Sequence, residues 1–339
     1  MKRVGVTMLV LTASTKARRS SIQTTTTKFM SFGVVFPGQG SQRVGMLEEA
    51  AGAFSVVSDT FSEASDALGY DLWQVVSEGP AEKLGLTEYT QPAILTASVA
   101  LYRAFTEANA FQPIAGAGHS LGEYSALVTA DTLSLVDGVR LVRQRGAAMQ
   151  DAVPVGVGAM AVVMGLDDGV VTDACNSISS ADNFVGGVNF NAPGQVVIAG
   201  HANAVDAAVA ALKDAGARRA MPLPVSAPFH TPLMQPAAEV MQQAFEDVSW
   251  STPQFPVVSN VDGSLQSNAD SIRESLVRQI SAPVLWTTCM ATLREAGCTQ
   301  FVECGPGNVL SGLSKRIDKS VPIKSIETVP AIEAGITDL

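Results

Sequence analysis

The stretch Gly118-His119-Ser120-Leu121-Gly122-Glu123-Tyr124 contains the pattern G-x-S-x-G. The small residues at 114–118 predict a buried strand, and the apolar residues from Leu121 onward predict a helix. A serine between such a strand and such a helix is typical of a nucleophile elbow, in which glycines permit a sharp turn and close packing. The stretch therefore predicts an α/β fold with a serine hydroxyl exposed at the edge of the sheet. A glycine-rich turn without chemistry is the alternative.

Apolar runs of strand length recur on both sides of this stretch, and segments with helical spacing lie between them. The runs occupy 32–36, 257–260 and 301–304, and the helical spacing covers 43–68 and the residues from Thr90 onward. Strands that alternate with helices predict a parallel sheet with helices on its faces.

The pattern changes near Pro154. Strands and helices then alternate over about 70 residues, which predicts a small α+β unit inserted into the larger one. We therefore assign residues 31–153 and 226–330 to a large catalytic unit, 154–225 to the small unit and 331–339 to a C-terminal tail.

The composition argues against several classes of protein. Of 339 residues, 47% are hydrophobic and 16% are charged, so the chain can bury a large core. The formal net charge of −10 argues against binding to nucleic acid or to a membrane surface. No apolar run reaches the ~18 residues that a membrane-spanning helix needs. The four cysteines show neither a CxxC pair nor zinc spacing, so we expect neither a metal site nor a disulfide framework.

Residues 1–30 differ in composition from the rest of the chain. They hold six of the 22 basic residues and many hydroxyl side chains, and the first acidic residue is Glu48. Such a segment is typical of a transit peptide, which predicts a location in the mitochondrial matrix or the plastid stroma. A disordered native tail and a start codon assigned too early are alternatives, and residues 4–13 also fit a signal-peptide core.

A serine nucleophile requires a base, and the chain has three histidines. His119 is adjacent to the serine, and neighbouring side chains on an elbow point in different directions. His201 begins an alanine-rich segment, where a capping or surface role is the alternative. His230 lies between Pro228 and Pro232 in a predicted loop, the kind of segment that often carries catalytic groups. We therefore favour His230 as the base.

Two further features have both a functional and a plain structural interpretation. The turn around Gln39 follows the first predicted strand and lacks the phosphate-loop and dinucleotide patterns. Its Gln39 amide is a candidate oxyanion donor, and an ordinary turn is the alternative. Arg145 follows the elbow in a predicted helix, where a surface cation is the alternative to a substrate-binding role.

Together these motifs resemble those of malonyl-CoA:acyl carrier protein transacylases. The resemblance covers residues 32–326, and the stretches that carry it occur in the family's order. They are FPGQGSQ at 36–42, GHSLGEY at 118–124, RG at 145–146, NFNAPGQ at 189–195, PFH at 228–230, LVRQ at 276–279 and ECGPG at 303–307.

The resemblance implies an α/β-hydrolase-like large subdomain with a parallel sheet and an inserted ferredoxin-like small subdomain. It also implies a ping-pong reaction that supplies fatty acid synthesis. Ser120 would attack malonyl-CoA, and the phosphopantetheine thiol of acyl carrier protein would then collect the malonyl group. His230 would act as general base and then acid, and the amides of Gln39 and Leu121 would form the oxyanion hole. Arg145 would bind the malonyl carboxylate through two hydrogen bonds.

The resemblance further implies that a main-chain carbonyl near Gln279, rather than an acid, orients the histidine. Gln91, Asn189 and Gln195 match family positions near the site. Phe229 is either a core side chain or a ring that excludes branched acyl groups. The implied partners are malonyl-CoA and acyl carrier protein, with no cofactor, and we expect a monomer.

Other functions share some of these features. A serine hydrolase or thioesterase would use the same elbow but would need neither Arg145 nor the Gln39 turn. A non-enzymatic scaffold for the carrier protein would be expected to lose Ser120 or His230, and both are present.

Because the family's carrier proteins are acidic and this chain is acidic too, docking requires a local basic patch. The candidate patches, with solvated faces as the alternative, are Lys315, Arg316, Lys319 and Lys324, and Lys213, Arg218 and Arg219.

Overall fold

A computed structural model of the chain describes residues 31–225 and 227–335. The strands in these residues are β1 (Phe32–Phe36), β2 (Ala115–Gly118), β3 (Gly158–Met164), β4 (Val185–Ala192), β5 (Gln195–His201), β6 (Arg219–Pro222), β7 (Val257–Val258), β8 (Leu265–Gln266), β9 (Gln300–Glu303) and β10 (Ile323–Ser325). The predicted transit peptide, residues 1–30, lies outside the described residues, so the leader and its destination stay predictions.

Helices precede and follow most of these strands. They are α1 (Glu48–Ala53), α2 (Ser55–Leu68), α3 (Leu72–Ser77), α4 (Ala81–Gly85), α5 (Thr87–Ala108), α6 (Gly122–Thr129), α7 (Leu135–Asp151), α8 (Asp168–Ile178), α9 (Ala202–Asp214), α10 (Gln235–Ala244), α11 (Ala269–Ser281), α12 (Trp286–Glu295), α13 (Val309–Ile317) and α14 (Val329–Glu333). Short 3-10 turns cover Pro232–Met234 and Phe245–Asp247.

The large sheet has the strand order β10-β9-β1-β2-β7-β8. Its neighbours pair in parallel except for β8, which pairs with β7 in the antiparallel sense. Phe36 at the end of β1 is in register with Gly118 at the end of β2. The turn that carries Gln39 and the elbow that carries Ser120 therefore leave the same edge of the sheet, side by side, at the carboxyl ends of the strands where α/β folds place their sites.

Glycines allow β1, β2 and α6 to approach one another backbone to backbone. A Cβ at Gly118 would lie 1.8 Å from the carbonyl carbon of Gly122, and a Cβ at Gly122 would lie 2.1 Å from the oxygen of Phe36. Any side chain at these positions would push α6 away from the sheet. The two glycines of G-x-S-x-G thus set the position of the serine between them.

The small sheet is entirely antiparallel, with the order β4-β5-β3-β6. Along the chain its elements run β3-α8-β4-β5-α9-β6, which is the ferredoxin-like arrangement. The predicted fold class, a parallel α/β unit with a ferredoxin-like insert, is confirmed. The insert's elements occupy 158–222, within the predicted range 154–225, and β4 joins the large unit through backbone hydrogen bonds of Val284 to Val188 and Phe190.

The structure corrects three predicted boundaries. The predicted helical run over 43–68 is two helices, because Phe54 between α1 and α2 adopts an extended backbone. The helix expected from Thr90 begins at Thr87 and carries Pro92 in its interior. The predicted tail at 331–339 begins inside α14, where Ile332 is buried and its carbonyl accepts a hydrogen bond from Asn109. The large unit thus continues past residue 330.

Candidate active site

Ser120 occupies a strained turn between β2 and α6. Its φ of 53° is in the left-handed region, which a residue with a side chain adopts only when its surroundings hold it there. Two contacts hold it. The His119 amide donates to the oxygen of Phe36 at 2.9 Å, and the Ser120 amide donates to Asn260 Oδ1 at 2.7 Å. The hydroxyl faces a cavity between the two subdomains.

His230 lies against the hydroxyl of Ser120, with Nε2 2.7 Å from Oγ. Its other nitrogen, Nδ1, is 2.8 Å from the main-chain oxygen of Gln279. Because a carbonyl oxygen only accepts, Nδ1 carries the proton and Nε2 is free to accept the proton of Ser120. Burial, aided by the nearby charge of Arg145, lowers the pKa of His230 to about 3, so the imidazole is neutral at physiological pH.

Arg145 is a buried cation, with 1% of its surface exposed. Nη1 donates to Gln91 Oε1 at 2.9 Å, and Nη2 donates to Gln279 Oε1 at 2.8 Å and to Ser120 Oγ at 3.2 Å. The guanidinium also lies 5.5 Å from the centroid of the Tyr124 ring. Within the described ranges, no carboxylate forms an ion pair with Arg145. It is therefore a buried charge whose hydrogen-bond acceptors here are neutral.

The residue after this arginine explains how the cation reaches the site. A Cβ at Gly146 would lie 2.5 Å from the oxygen of Thr87, so only glycine lets α7 pack this close to α5. The approach brings Arg145 on α7 to Gln91 on α5. A surface position for Arg145 is thereby excluded.

A cavity of about 270 Å³ adjoins these groups. Gln39 and Leu121 both line it, and neither backbone amide has a hydrogen-bond partner in the part of the chain that the structure describes. Leu121 is also the residue before the first turn of α6, where amide hydrogens point out of the helix. Gln39 and Leu121 thus offer two amide donors without partners among the residues that line the cavity with Ser120.

Comparison with known proteins identifies this combination of elbow, histidine and buried arginine. The family model described as the acyl transferase domain matches residues 34–339. The chain is 50% identical over 305 residues to the malonyl CoA-acyl carrier protein transacylase of Escherichia coli K12, covering 90% of this chain and 98% of that protein. This chain belongs to that family.

Solved structures of other transacylases agree with this assignment. The malonyl CoA-acyl carrier protein transacylase of Coxiella burnetii superposes with a TM-score of 0.89 at 44% identity, covering 91% of this chain and 98% of that one. A malonyl-transacylase solved in complex with a type II PKS acyl-carrier protein has a TM-score of 0.89 at 48% identity, covering 91% and 100%. The resemblance seen in the sequence motifs and the predicted enzyme class, an acyltransferase, are confirmed.

The structure brings nearly all the predicted transacylase site residues to one cavity. In addition to Ser120, His230, Arg145, Gln39 and Leu121, the cavity is lined by Gln91, Asn189, Gln195 and Phe229. Gln279 is buried behind the lining; its main-chain oxygen contacts His230, and its side-chain Oε1 accepts from Arg145.

The other two histidines have different partners. The imidazole of His119 lines the cavity, but its Nε2 is 2.7 Å from Asn191 Oδ1. His201 does not line the cavity, and its Nδ1 accepts a hydrogen bond from the Phe184 amide at 2.9 Å. Neither contacts the hydroxyl of Ser120. The geometry thus supports the choice of His230.

Two buried groups under the elbow, Asn260 and Glu123, carry no role in the sequence motifs described above. Asn260 Nδ2 donates to the oxygen of Gly118 at 2.7 Å, while its Oδ1 accepts from Ser120. Glu123 is 3% exposed, and its Oε2 accepts from Gln279 Nε2 at 2.8 Å and from the Asn260 amide at 3.1 Å. Asn260 stands two residues after the apolar pair of β7, and a polar side chain at this end of the strand was a usable signal, because β7 lies beside β2.

Residues 31–225 and 227–335 form neither a metal-binding cluster nor a membrane-spanning helix. In those ranges, no group of three or more His, Cys, Asp or Glu side chains is placed to hold a metal ion. Nor does any helix there have both the length and the apolar character needed to span a bilayer.

Proposed function

We propose that this chain transfers the malonyl group from malonyl-CoA to the phosphopantetheine thiol of acyl carrier protein through a malonyl-Ser120 intermediate. The observation that carries the proposal is the buried guanidinium of Arg145, 3.2 Å from the nucleophile Ser120 and bound only to neutral acceptors among the described residues. A buried cation without an anionic partner is energetically costly, and an anionic group of the substrate would supply that partner. Malonyl carries such a carboxylate next to its thioester, and acetyl does not.

The first half-reaction forms the malonyl-enzyme. His230 Nε2 takes the proton of the Ser120 hydroxyl as Oγ attacks the thioester carbonyl carbon. The carbonyl oxygen becomes an oxyanion, which the amides of Gln39 and Leu121 stabilise. The carbon–sulfur bond then breaks, and the CoA sulfur leaves with the proton held on Nε2.

The second half-reaction uses the same groups in the opposite order. His230 Nε2 takes the proton of the carrier-protein thiol as its sulfur attacks the malonyl ester. The bond to Ser120 Oγ then breaks, and Oγ regains the proton from Nε2. The main-chain oxygen of Gln279 accepts from Nδ1 throughout, so the imidazole keeps one orientation and one tautomer in both steps.

Substrate binding would also strengthen the base. Part of the lowering of the His230 pKa comes from the positive charge of Arg145. A malonyl carboxylate paired with Arg145 offsets that charge, so the pKa of His230 rises when the correct substrate is bound. An acetyl group leaves the charge uncompensated. The same arginine thereby selects the substrate and adjusts the base.

Of the two predicted basic patches, the position of α13 favours the one that includes Lys315 and Arg316. Leu310 and Leu313 on this helix line the cavity, while Lys315 and Arg316 lie in its last turn. Arg316 also donates to Gln195 at the cavity. We propose that an acidic carrier protein docks at this patch, which lies beside the cavity that its thiol must enter.

A serine hydrolase with the same elbow is not favoured, because hydrolysis requires no buried cation at the acyl group and the chain's relatives are transacylases.

The decisive experiment is intact-mass measurement after brief exposure to malonyl-CoA or acetyl-CoA. We expect the wild-type chain to gain one malonyl group, the Ser120→Ala variant to gain none, and acetyl transfer to be much weaker. His230→Ala should acylate much more slowly because the base is lost, whereas His201→Ala, its matched control, should acylate normally. An adduct that survives Ser120→Ala would contradict the proposal.

A further inference from the structure

Glu123 is a buried acid that the reaction steps above do not use. It is the second residue of α6, directly under the elbow, and burial raises its pKa to about 7. Both of its hydrogen bonds are accepted by one oxygen, Oε2. One donor, the amide of Asn260, belongs to the residue whose side chain holds the Ser120 amide. The other is the side chain of Gln279.

The side-chain amide of Gln279 has only one favourable orientation in these surroundings. Nε2 donates to Glu123 Oε2 at 2.8 Å and to the main-chain oxygen of Ser120 at 2.9 Å. Oε1 accepts from Arg145 Nη2 at 2.8 Å. If the amide were flipped, its oxygen would face two oxygens and its NH₂ would face a guanidinium, which has only donors. Removing the Glu123 oxygen takes away one of the two acceptors that enforce this orientation.

The same chain of contacts keeps an acid near Arg145 without letting it touch the cation. A carboxylate bonded directly to the guanidinium would compete with the substrate's carboxylate for the same donors. Gln279 stands between the two, so the hydrogen-bonded connection from Glu123 to Arg145 runs through a neutral amide, and the charge of Glu123 acts on the guanidinium only through space. The guanidinium of Arg145 therefore keeps its orientation and can still bind the carboxylate of the substrate.

From this geometry we propose that Glu123 is a positioning residue for substrate selection. Its Oε2 fixes the amide of Gln279, and that amide holds the guanidinium of Arg145 where it receives the malonyl carboxylate. The inference rests on the proposed function. It concerns the preference for malonyl over uncharged acyl groups, whereas the nucleophile and the base remain as described.

Two substitutions separate the position of the acceptor oxygen from the charge of the acid. Glu123→Gln keeps an oxygen at the Oε2 position and loses the charge, so both hydrogen bonds persist. Glu123→Asp keeps the charge but withdraws the oxygen by one methylene, away from Gln279. The readout is the ratio of kcat/KM for malonyl-CoA to that for acetyl-CoA. A partly unfolded sample lowers both values equally, so a purely structural role leaves the ratio unchanged.

We expect Glu123→Asp to lower the ratio roughly tenfold, the loss expected for one hydrogen bond in a charged network, mainly by raising KM for malonyl-CoA. Glu123→Gln should stay close to the wild-type ratio. In the Gln279→Ala background, Glu123→Asp should cause no further change in the ratio, because the connecting amide is gone.

The proposal is overturned if Glu123→Asp leaves the ratio unchanged, or if Glu123→Gln lowers it as much as Glu123→Asp does. It is also overturned if Glu123→Asp and Gln279→Ala lower the ratio independently. Failure of the proposed function is recognised separately, since the wild-type chain would then gain no malonyl group at all.

Discussion

Replacing Arg145 with alanine should convert a malonyl-selective site into one that no longer distinguishes malonyl from acetyl. The substitution removes the guanidinium and leaves Oε1 of Gln91 and Oε1 of Gln279 without their donor. It also removes the positive charge that lowers the pKa of His230. The unpaired oxygens affect every acyl group, whereas the change in the pKa of His230 matters mainly for acetyl, because a bound malonyl carboxylate already offsets the charge. Only the lost contact with the carboxylate is specific to malonyl.

The size of the effect follows from the burial of the cation. Truncating one partner of a buried, hydrogen-bonded charge pair costs ~2–5 kcal/mol, and each ~1.4 kcal/mol is a factor of ten. Arg145 is 1% exposed, so solvent screening does not reduce this figure. We therefore expect kcat/KM for malonyl-CoA to fall by roughly 30- to 4000-fold. The value for acetyl-CoA should stay level or rise, since no unpaired charge remains beside its methyl group.

The assay is the ratio of malonyl to acetyl transfer in the wild-type chain, Arg145→Ala and Arg145→Lys. Lysine should restore only part of the ratio, because its ammonium cannot make the two-pronged contact. Arg143→Ala is the matched control on the same helix, since Arg143 donates to the oxygen of Leu68 and packs on the Tyr70 ring, away from the cavity. A ratio that Arg145→Ala leaves unchanged would refute the assignment, and the carboxylate would then be bound elsewhere.

Three further predictions test the base, the elbow and the docking face. Because the pKa of His230 in the free enzyme is lowered to about 3, kcat/KM for acylation by malonyl-CoA should stay constant from about pH 5 to about pH 8; a midpoint near the ordinary histidine value would contradict this. Below about pH 6.5, His230 takes up a proton in the unfolded chain but stays neutral in the folded chain. The free energy of unfolding should therefore fall as the pH drops from about 6.5 towards about 3. Gly118→Ala should lower Tm strongly, because its Cβ would lie 1.8 Å from backbone, whereas Gly169→Ala, with open space around it, should leave Tm level or slightly higher. Reversing the charges of Lys315 and Arg316 should raise KM for the carrier protein but not for malonyl-CoA; equal effects on both substrates would remove this patch from consideration.

Local chemistry made the elbow and the parallel sheet predictable. The glycines around Ser120 and the small residues of β2 occur in an order that few other structures require. The insert was predictable because its strands and helices differ in pattern from the rest. The Gln39 amide was a candidate oxyanion donor from its turn alone, but the family resemblance was needed to favour that role over an ordinary turn and to pair it with the Leu121 amide.

Other parts depend on contacts between residues far apart in the chain, which periodicity does not reveal. From its place in a predicted helix, Arg145 could equally be a surface cation, and only the family resemblance assigned it to the substrate. The physical reason for its burial is the contact at Gly146 that brings α7 against α5. Glu123 is charged and follows a glycine, yet it is buried because Gln279 and Asn260 reach it from other elements. Residues 331–335 of the predicted tail begin inside α14 instead, because the burial of Ile332 depends on packing rather than on local sequence.

The acceptor that orients His230 belongs to the main chain of residue 279, and this limits how the enzyme can change over evolution or in the laboratory. A side-chain acid can be deleted, exchanged or moved by a single codon change, whereas a peptide oxygen is present whichever amino acid occupies the position. The histidine is thus protected against loss of its orienting partner by point mutation. For the same reason, no acidic side chain at this point can be substituted to change the strength of the base. Variation in base strength among related sequences must then arise from the neighbouring cation and from how deeply the ring is buried.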